Sequence, residues 1–180
     1  MIKRLFDIVA SAGGLVLLSP LIGCIWLLVL MRDGSPALFA QQRAGRNGVA
    51  FTCYKFRTMR TGAAQVATHL ADDAMISPLG KTLRRFKLDE LPQLYNVLKG
   101  DMSLVGPRPS LLTQTELIDE RRVRGVLALR PGITGLSQVR GIDMRDPIVL
   151  ADSDADYLEQ ATLTNDLSLI IKTVTGQTRH

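Results

Sequence analysis

Cysteine and histidine are scarce in this 180-residue sequence, which contains two of each. Cys24 lies in an apolar run and Cys53 in a predicted strand, so the sequence argues against a disulfide framework and is compatible with a reducing compartment. The histidines, His69 and His180, form no cluster with the cysteines, which argues against a zinc site. A Mg²⁺ ion held by one or two carboxylates remains open.

Aromatic residues make up only 5% of the sequence, and no basic run is interleaved with them. The sequence therefore lacks the aromatic side chains on which the bases of single-stranded nucleic acid stack, so we expect no nucleic-acid partner. The balance of 22 Lys and Arg against 17 Asp and Glu gives a net charge of +5, which suits an anionic partner such as a membrane surface or a nucleotide. The length fits a single domain.

Charge is absent from residues 8–31, an apolar run of 24 residues. A signal peptide would have a shorter apolar core followed by a small-residue cleavage site, whereas this run ends at Arg32 and Asp33. We therefore predict a membrane segment that is retained. As a helix it would rise about 36 Å, enough to cross a hydrocarbon core of about 30 Å.

Ser19 and Pro20 interrupt this run near its middle. Proline cannot donate to the helix ladder, so a break is expected, with the Ser19 hydroxyl satisfying a freed carbonyl. Lys3 and Arg4 precede the run and Arg32 follows it, which gives little charge asymmetry for a crossing. We favour a re-entrant hairpin with both ends cytoplasmic, and a kinked single-span anchor remains the alternative.

Residues 35–57 predict a β-hairpin, because two β-prone runs flank a turn rich in Gly and Asn-Gly. The two-residue period of the second strand places Phe51, Cys53, Lys55 and Arg57 on one face. Two cations on a half-apolar face indicate either a bound anion or side chains that extend to solvent or lipid headgroups.

Ser77 and Pro78 have the residue types of a helix start, with Leu79, Leu83 and Phe86 as the predicted buried stripe. Residues 61–75 are predicted to form a loop or a short surface helix. Residues 116–129 predict a charged helix with a solvated or interfacial face. The last predicted helix, residues 165–175, would pack on the core or lie on the membrane through one apolar face: Leu167, Ile170, Ile171 and Val174.

The adjacent carboxylates Asp89 and Glu90 follow a cluster of cations, Arg84, Arg85 and Lys87. A helix is predicted to begin at Asp89 and stop at Gly100, with the apolar stripe Leu91, Leu94, Tyr95 and Leu98. Nearby cations and a helix N-terminus lower a carboxylate pKa, so we expect Asp89 to be ionised beside a phosphate site. The alternative is structural, with Asp89 as a plain N-cap and Glu90 as a first-turn residue.

Arg108 lies in a rigid loop, residues 106–109, because a proline on each side fixes the backbone. An arginine held this stiffly suits bidentate recognition of phosphate. The alternative is a turn whose arginine pairs with a structural carboxylate such as Asp101.

Six segments in order resemble one known family. They are KRLFD at 3–7 before a hairpin broken at Ser19 and Pro20, YKFRTM at 54–59, LDELPQ at 88–93, DMSLVGPRP at 101–109, PGITG at 131–135 and DADY at 154–157. Together they resemble the bacterial sugar transferases, the small monotopic phosphoglycosyl transferases that begin glycoconjugate assembly on a polyprenyl phosphate.

The resemblance implies a two-step reaction. Asp89 would attack the sugar-bearing phosphate of a UDP-sugar, releasing UMP and leaving a covalent phosphosugar, which the polyprenyl phosphate then takes. Glu90 would help to hold Mg²⁺. The residues implied as phosphate and nucleotide contacts are Lys55, Arg57, Arg84 and Arg108.

The resemblance also implies an α+β, mostly helical fold with a β-hairpin and interfacial amphipathic helices. Residues 1–34 would form the re-entrant membrane hairpin and residues 35–180 a catalytic domain on the cytoplasmic face of the bacterial inner membrane. The implied partners are a UDP-sugar, a polyprenyl phosphate and membrane lipids, and a homodimer stays open. Residues 138–143 depart from the pattern of many members, which puts the identity of the sugar in doubt.

Two other functions are compatible with parts of the sequence. A membrane-anchored scaffold could bind anionic lipid through its basic face, and it should tolerate Asp89→Asn. An aspartyl-phosphate phosphatase would need a second carboxylate two residues beyond the nucleophile, where this chain has Leu91.

Overall fold

The computed structural model describes residues 2–59 and 75–177, which are mostly helical with two small sheets. The helices are α1 (Ile2–Leu17), α2 (Ser19–Asp33), α3 (Pro78–Arg85), α4 (Gln93–Lys99), α5 (Thr115–Val123), α6 (Leu136–Val139), α7 (Pro147–Glu159) and α8 (Leu163–Val174). The strands are β1 (Leu38–Ala44), β2 (Ala50–Phe56), β3 (Ser103–Val105) and β4 (Gly132–Thr134). The α+β, mostly helical prediction is confirmed. His69, His180 and the segment predicted at 61–75, except its last residue, lie outside the described residues.

The apolar N-terminal run forms two helices that meet at Leu18 and bend by 62°. The Ser19 hydroxyl donates to the carbonyl oxygen of Val16 at 2.8 Å, and Pro20 lies in the first turn of α2. The predicted break at Ser19 and Pro20 is therefore confirmed. No single helix within 2–59 and 75–177 has the length and apolar composition to cross a membrane, whereas the bent pair α1 and α2 has them when taken together.

The N-terminal turns of α1 are bonded to the rest of the protein through polar side chains. Arg4 donates to the carbonyl oxygens of Val97 and Leu98 at 2.7 and 3.0 Å. Asp7 is buried and accepts from Ser103 Oγ at 2.9 Å, and Lys3 pairs with buried Asp166 of α8. The helix pair is thus joined directly to β3, α4 and α8.

The predicted β-hairpin is confirmed. Strands β1 and β2 pair antiparallel from Leu38 opposite Phe56 to Ala44 opposite Ala50. Asn47 and Gly48 in the turn have φ values of 57° and 76°, a region that favours glycine and asparagine. Cys53 is buried beside Val97 and Met102, while Cys24 is exposed, and both cysteines are free.

Strands β3 and β4 pair in parallel, with Val105 opposite Thr134. Leu104 of β3 packs against two groups of core residues, one around Phe51 of the hairpin and one around Tyr157 of α7. This second sheet therefore lies between the hairpin and the C-terminal helices.

Helix α3 begins as predicted, because Ser77 Oγ accepts from the Gly80 amide at 2.8 Å. Leu83 is buried and Leu79 partly buried, but the prediction of a buried Phe86 is wrong, since Phe86 is 62% exposed. Phe86 follows the last residue of α3 and still donates its amide to Thr82 O at 3.2 Å, but its ring lies against the Arg85 guanidinium instead of the core.

Helix α4 begins at Gln93, so the predicted start at Asp89 is wrong. Lys87 adopts a left-handed conformation with φ of 55°, and Leu88–Glu90 then form a 3-10 turn. The amides of Leu91, Leu94 and Tyr95 donate to the carbonyl three residues back, so this turn has 3-10 rather than α-helical hydrogen bonds. The predicted stop is confirmed, because Gly100 ends the helix with φ of 103°.

The apolar stripes of α4 and α8 are not the faces that these helices bury. On α4 the buried residues are Gln93, Asn96 and Val97, whereas Tyr95 is 52% exposed. Asn96 is buried because it pairs with the β2 backbone, donating to Thr52 O at 2.7 Å. On α8 the buried residues are Asp166 and Leu169, and the exposed residues of the predicted face are Leu167, Ile171 and Val174.

Candidate functional site

The 3-10 turn Leu88–Glu90 places two adjacent carboxylates in different surroundings. Glu90 Oε1 accepts from Lys55 Nζ of β2 at 2.6 Å and from Arg108 Nη2 at 3.4 Å. Asp89 is 8% exposed, and neither Lys55 nor Arg108 bonds to it in the described structure. One carboxylate is thus held between two cations while its neighbour is buried beside them.

The pKa of Glu90 is lowered to about 2. Burial alone would raise it, but the charges of Lys55 and Arg108 and the hydrogen bond from Lys55 outweigh burial. Glu90 is therefore an anion across the whole neutral range.

The pKa of Asp89 is raised, mainly by burial and secondly by the negative charge of Glu90. The charges of Lys55 and Arg84 act in the opposite direction and do not prevail. The predicted direction of the Asp89 pKa is therefore wrong, because the sequence shows which cations are near but neither the desolvation nor the competition for Lys55. Asp89 also heads no α-helix.

Three of the four predicted cations surround the carboxylate pair. Lys55 and Arg108 contact Glu90, and Arg84 acts electrostatically on Asp89 while donating to Thr58 Oγ1 at 2.9 Å. Arg57 instead donates to the Ser35 carbonyl at 3.1 Å. Within residues 2–59 and 75–177 no contact joins Arg57 to either carboxylate.

The two alternatives for Lys55 and Arg108 are resolved in part by these contacts. The anion facing Lys55 is the Glu90 carboxylate. Arg108 pairs with a carboxylate, as the structural alternative has it, but the partner is Glu90 and not Asp101. Asp101 accepts from Lys99 at 3.0 Å.

The sequence analysis missed a buried ion pair behind the Arg108 loop. Arg121 of α5 is 4% exposed and donates through Nε and Nη2 to Asp154 Oδ2 at 2.9 and 2.7 Å. The prediction of a solvated face at 116–129 is therefore wrong for Arg121. The sequence carried only a weak signal, because Asp154 lies in one of the six matched segments but its partner is 33 residues away.

An apolar groove of about 530 Å³ runs from the helix break to the residues that follow the carboxylate turn. Ser19 stands at the break, and Pro92 is two residues beyond Glu90. The residues that line the groove are Leu15, Ser19, Ile22, Gly23, Trp26, Leu38, Tyr54, Phe56, Pro92 and Tyr95. The lining is almost entirely apolar, as the binding site of a lipid chain requires.

The carboxylate pair has the donor type that Mg²⁺ prefers. No group of three or more His, Cys, Asp or Glu side chains able to hold a metal occurs in the part of the chain that the structure describes. Mg²⁺, however, is commonly bound by one or two carboxylates together with substrate phosphates and water. An ionised Glu90 beside Asp89 fits that pattern.

Comparison with known proteins identifies the chemistry of the relatives. The sequence model of the family described as bacterial sugar transferase matches residues 1–180. The undecaprenyl-phosphate galactose phosphotransferase of Salmonella typhimurium is 41% identical over 96% of the chain, which covers 39% of that protein. The exopolysaccharide production protein ExoY of Rhizobium meliloti is 37% identical over 97% of the chain and 84% of its own length.

A third relative is the UDP-glucose:undecaprenyl-phosphate glucose-1-phosphate transferase of Caulobacter vibrioides. It is 39% identical over 96% of the chain, which covers 68% of that protein. The chain spans about two fifths of the length of several curated relatives that it matches, with 39 to 41% covered in three of them.

Proposed function

Because the chain belongs to the bacterial sugar transferase family, we propose that it transfers a sugar-1-phosphate from a UDP-sugar to a polyprenyl phosphate. Undecaprenyl phosphate is the proposed acceptor, because two relatives are named for it. The observation that carries the proposal is the turn at Asp89 and Glu90, where a buried carboxylate adjoins an anion held by Lys55 and Arg108. The reaction would be an early membrane step of glycoconjugate assembly.

In the proposed first step, an ionised Asp89 oxygen attacks the phosphorus that carries the sugar. The new O–P bond forms as the bond from that phosphorus to the UMP oxygen breaks, and UMP leaves with the electron pair. A carboxylate nucleophile in this way divides one difficult transfer into two easier ones. The low exposure of Asp89 keeps water from competing for the phosphorus.

In the proposed second step, a phosphate oxygen of the polyprenyl phosphate attacks the same phosphorus. The bond to Asp89 breaks, the carboxylate is restored and the lipid carries the sugar through a diphosphate. Cations near the site would stabilise the charge that collects on the phosphoryl oxygens. Lys55, Arg84 and Arg108 are the residues proposed for this role.

Mg²⁺ is the proposed cofactor, and it would offset charge on the diphosphate of the donor. Glu90 is the proposed protein ligand, since its pKa of about 2 keeps it anionic. Lys55 and Arg108 orient its carboxylate through Oε1.

The bent helix pair supports a re-entrant hairpin as the proposed membrane topology, with the catalytic turn on the cytoplasmic face of the inner membrane. Single cysteines at Ile2, at the start of α1, and at Ser35, after α2, in a variant without Cys24 and Cys53, test this arrangement. We expect an impermeant thiol reagent to label both positions from the cytoplasmic side only. Labelling of the two positions from opposite sides would instead establish a kinked span.

We propose the apolar groove as the binding site for the isoprenoid chain of the acceptor. Gly23 lines it, and a Cβ added there would meet no atom within 4 Å, so we expect Gly23→Leu to be tolerated and to fill part of the groove. We expect the KM for undecaprenyl phosphate to rise about tenfold, while single-turnover UMP release without acceptor is unchanged. Steady-state and single-turnover assays check the two values.

Gly13→Leu is the matched control for the groove. Gly13 lies in α1, is also free of atoms within 4 Å of an added side chain, and does not line the groove. It should leave both measurements unchanged. An equal rise in KM for both variants would contradict the groove assignment.

The first step should lose rate as pH falls through the pKa of Asp89, because only the ionised carboxylate attacks. Burial and Glu90 raise that pKa, so the acid limb should lie above the ordinary pKa of an aspartate. Glu90→Gln removes one of these causes and should move the acid limb to lower pH, although the maximal rate also falls. Single-turnover UMP release measured against pH checks the direction.

Glu159→Gln, at an exposed position of α7, is the control for the pH profile and should leave the acid limb in place. An acid limb that stays fixed or moves upward in Glu90→Gln would contradict the proposed coupling between the two carboxylates.

The proposed function is tested by incubating the purified protein with Mg²⁺, undecaprenyl phosphate and a panel of UDP-sugars, and measuring UMP. We expect release with at least one donor, and the preferred donor identifies the sugar. Absence of UMP across a broad panel would favour the membrane-anchored scaffold, which binds anionic lipid without turnover.

A further inference from the structure

The loop that carries Arg108 is held through four consecutive backbone carbonyl groups. The carbonyl oxygens of residues 107–110 each accept a hydrogen bond from another part of the chain. The donors, in order, are Gly132 N at 2.8 Å, Arg121 Nη1 at 3.0 Å, Arg43 Nη1 at 3.2 Å and Ala44 N at 2.9 Å. Strands β1 and β4 and helix α5 therefore converge on one short loop.

Carbonyl groups are the natural points of attachment for this loop. Pro107 and Pro109 have no N–H, so their backbone can be bonded only through oxygen. The prolines fix φ at two positions but leave ψ free to vary. Hydrogen bonds to the carbonyls restrain that remaining freedom, which determines where the Arg108 side chain points.

Two of the four donors are guanidinium groups, one buried on Arg121 and one partly buried on Arg43. Arg121 is buried against Asp154, and burial lowers the pKa of Arg43, which also donates to Gln41 Oε1 at 2.6 Å. Burying a cation is costly unless it is well paired. A neutral side chain could donate equally well to the carbonyl of Arg108 or of Pro109. The presence of an arginine at both positions therefore suggests a role beyond satisfying these carbonyls.

Gly132 and Gly135 pack directly against the backbone of the Arg108 loop on the side away from the arginines, so the loop cannot shift toward β4. A side chain added at Gly132 would stand 2.1 Å from the Gly106 amide nitrogen, and one added at Gly135 would stand 2.2 Å from the Gly106 carbonyl oxygen. The loop is thus packed closely on β4 while the arginines hold its other side. The Arg108 side chain is 34% exposed and is the part that reaches Glu90.

We propose that Arg43 and Arg121 are positioning residues that fix the Arg108 backbone, so that its guanidinium meets Glu90 and the diphosphate of the donor. This inference rests on the proposed function, because it assigns Arg108 to the substrate phosphates.

The decisive experiment is a double-mutant cycle with Arg108→Ala. Arg43→Gln should raise the KM for the UDP-sugar about tenfold in the wild-type background, with a smaller change in kcat. In the Arg108→Ala background the same substitution should change KM less than about twofold, because the side chain it positions is absent. Arg121→Lys, which keeps a cation for Asp154, should behave in the same way.

Arg43→Lys keeps the charge and one donor, so it should recover part of the KM lost in Arg43→Gln. Arg46→Gln is the matched control: Arg46 follows the same strand and donates to the Ala128 carbonyl at 2.9 Å, away from the Arg108 loop. It should leave KM unchanged. Equal effects of Arg43→Gln with and without Arg108 would overturn the inference.

Hydrogen exchange provides a readout that does not depend on turnover. The amides of Ala44 and Gly132, which donate to the carbonyl oxygens of Ser110 and Pro107, should exchange at least about tenfold faster in Arg43→Gln than in the wild type, with little change in Arg46→Gln. Unchanged exchange would overturn the positioning role even if KM rises. Failure of the wild type to release UMP with any donor would refute the proposed function but leave this exchange test in force.

Discussion

Asp89→Asn is expected to abolish UMP release, with a loss of at least about a thousandfold in turnover. The amide is uncharged and a poor nucleophile, so no sugar-phosphate adduct should form on the protein. The fold should persist, because the raised pKa of Asp89 shows that its buried surroundings disfavour the ionised carboxylate. Loss of activity with stability kept or raised is therefore the expected combination.

Mass spectrometry of the intact protein after incubation with the donor tests the adduct directly. The wild type should gain the mass of one sugar phosphate, located on Asp89 after digestion. Asp119→Asn, at an exposed position of α5, is the control and should form the adduct normally. Normal turnover by Asp89→Asn, or an adduct on another residue, would rule out the proposed nucleophile.

The second large effect is expected at the buried ion pair of Arg121 and Asp154. Among the residues that the structure describes, Arg121→Met leaves Ser137 Oγ, at 2.7 Å, as the one side-chain donor to the Asp154 carboxylate. Removing one partner of a buried pair typically costs about 3–5 kcal/mol. We therefore expect the free energy of unfolding to fall by that amount, as measured by denaturant titration in detergent micelles.

Two further variants identify the origin of that loss. Arg122→Met removes an exposed arginine next in the chain, paired with Asp119, and should cost less than about 0.5 kcal/mol. The double variant Arg121→Met with Asp154→Leu removes the unpaired charge and should regain much of the stability. A similar cost for Arg121→Met and Arg122→Met would contradict the burial of the pair.

The elements predicted correctly are those encoded by neighbouring residues. Pro20 breaks the apolar helix whether that helix lies in a membrane or in a protein core. Ser77 caps α3 by accepting from the amide of Gly80, three residues away. The Asn47-Gly48 turn similarly determines the hairpin by itself. Such features need no knowledge of the rest of the fold.

Burial was harder to predict, because an apolar stripe identifies a helix face but not what covers it. On α4, Asn96 is buried through hydrogen bonds to β2 while Tyr95 borders the groove. On α8, Asp166 is buried because Lys3 and Tyr157 bond to it. In both helices tertiary partners reverse the pattern that hydrophobicity alone predicts.

In the candidate site, too, the features set by neighbouring residues were predicted and those set by tertiary contacts were not. The adjacency of Asp89 and Glu90 and their nearby cations identified the carboxylate pair from the sequence. The direction of the Asp89 pKa depended on burial, and the roles of Arg43 and Arg121 depended on a loop that three distant elements hold. None of these can be read from spacing along the chain.

The direct bonding of α1 to the rest of the fold has a mechanical consequence. Lys3, Arg4 and Asp7 attach this helix directly to α8, α4 and β3, so within residues 2–59 and 75–177 the apolar helix pair is bonded to the domain that carries Asp89, the proposed nucleophile. Under the proposed topology, the distance of Asp89 from the membrane surface depends on how deeply the helix pair α1 and α2 inserts into the bilayer. A change in bilayer thickness should then change the rate of transfer to the lipid acceptor, whereas the rate of UMP release from the water-soluble donor should stay the same.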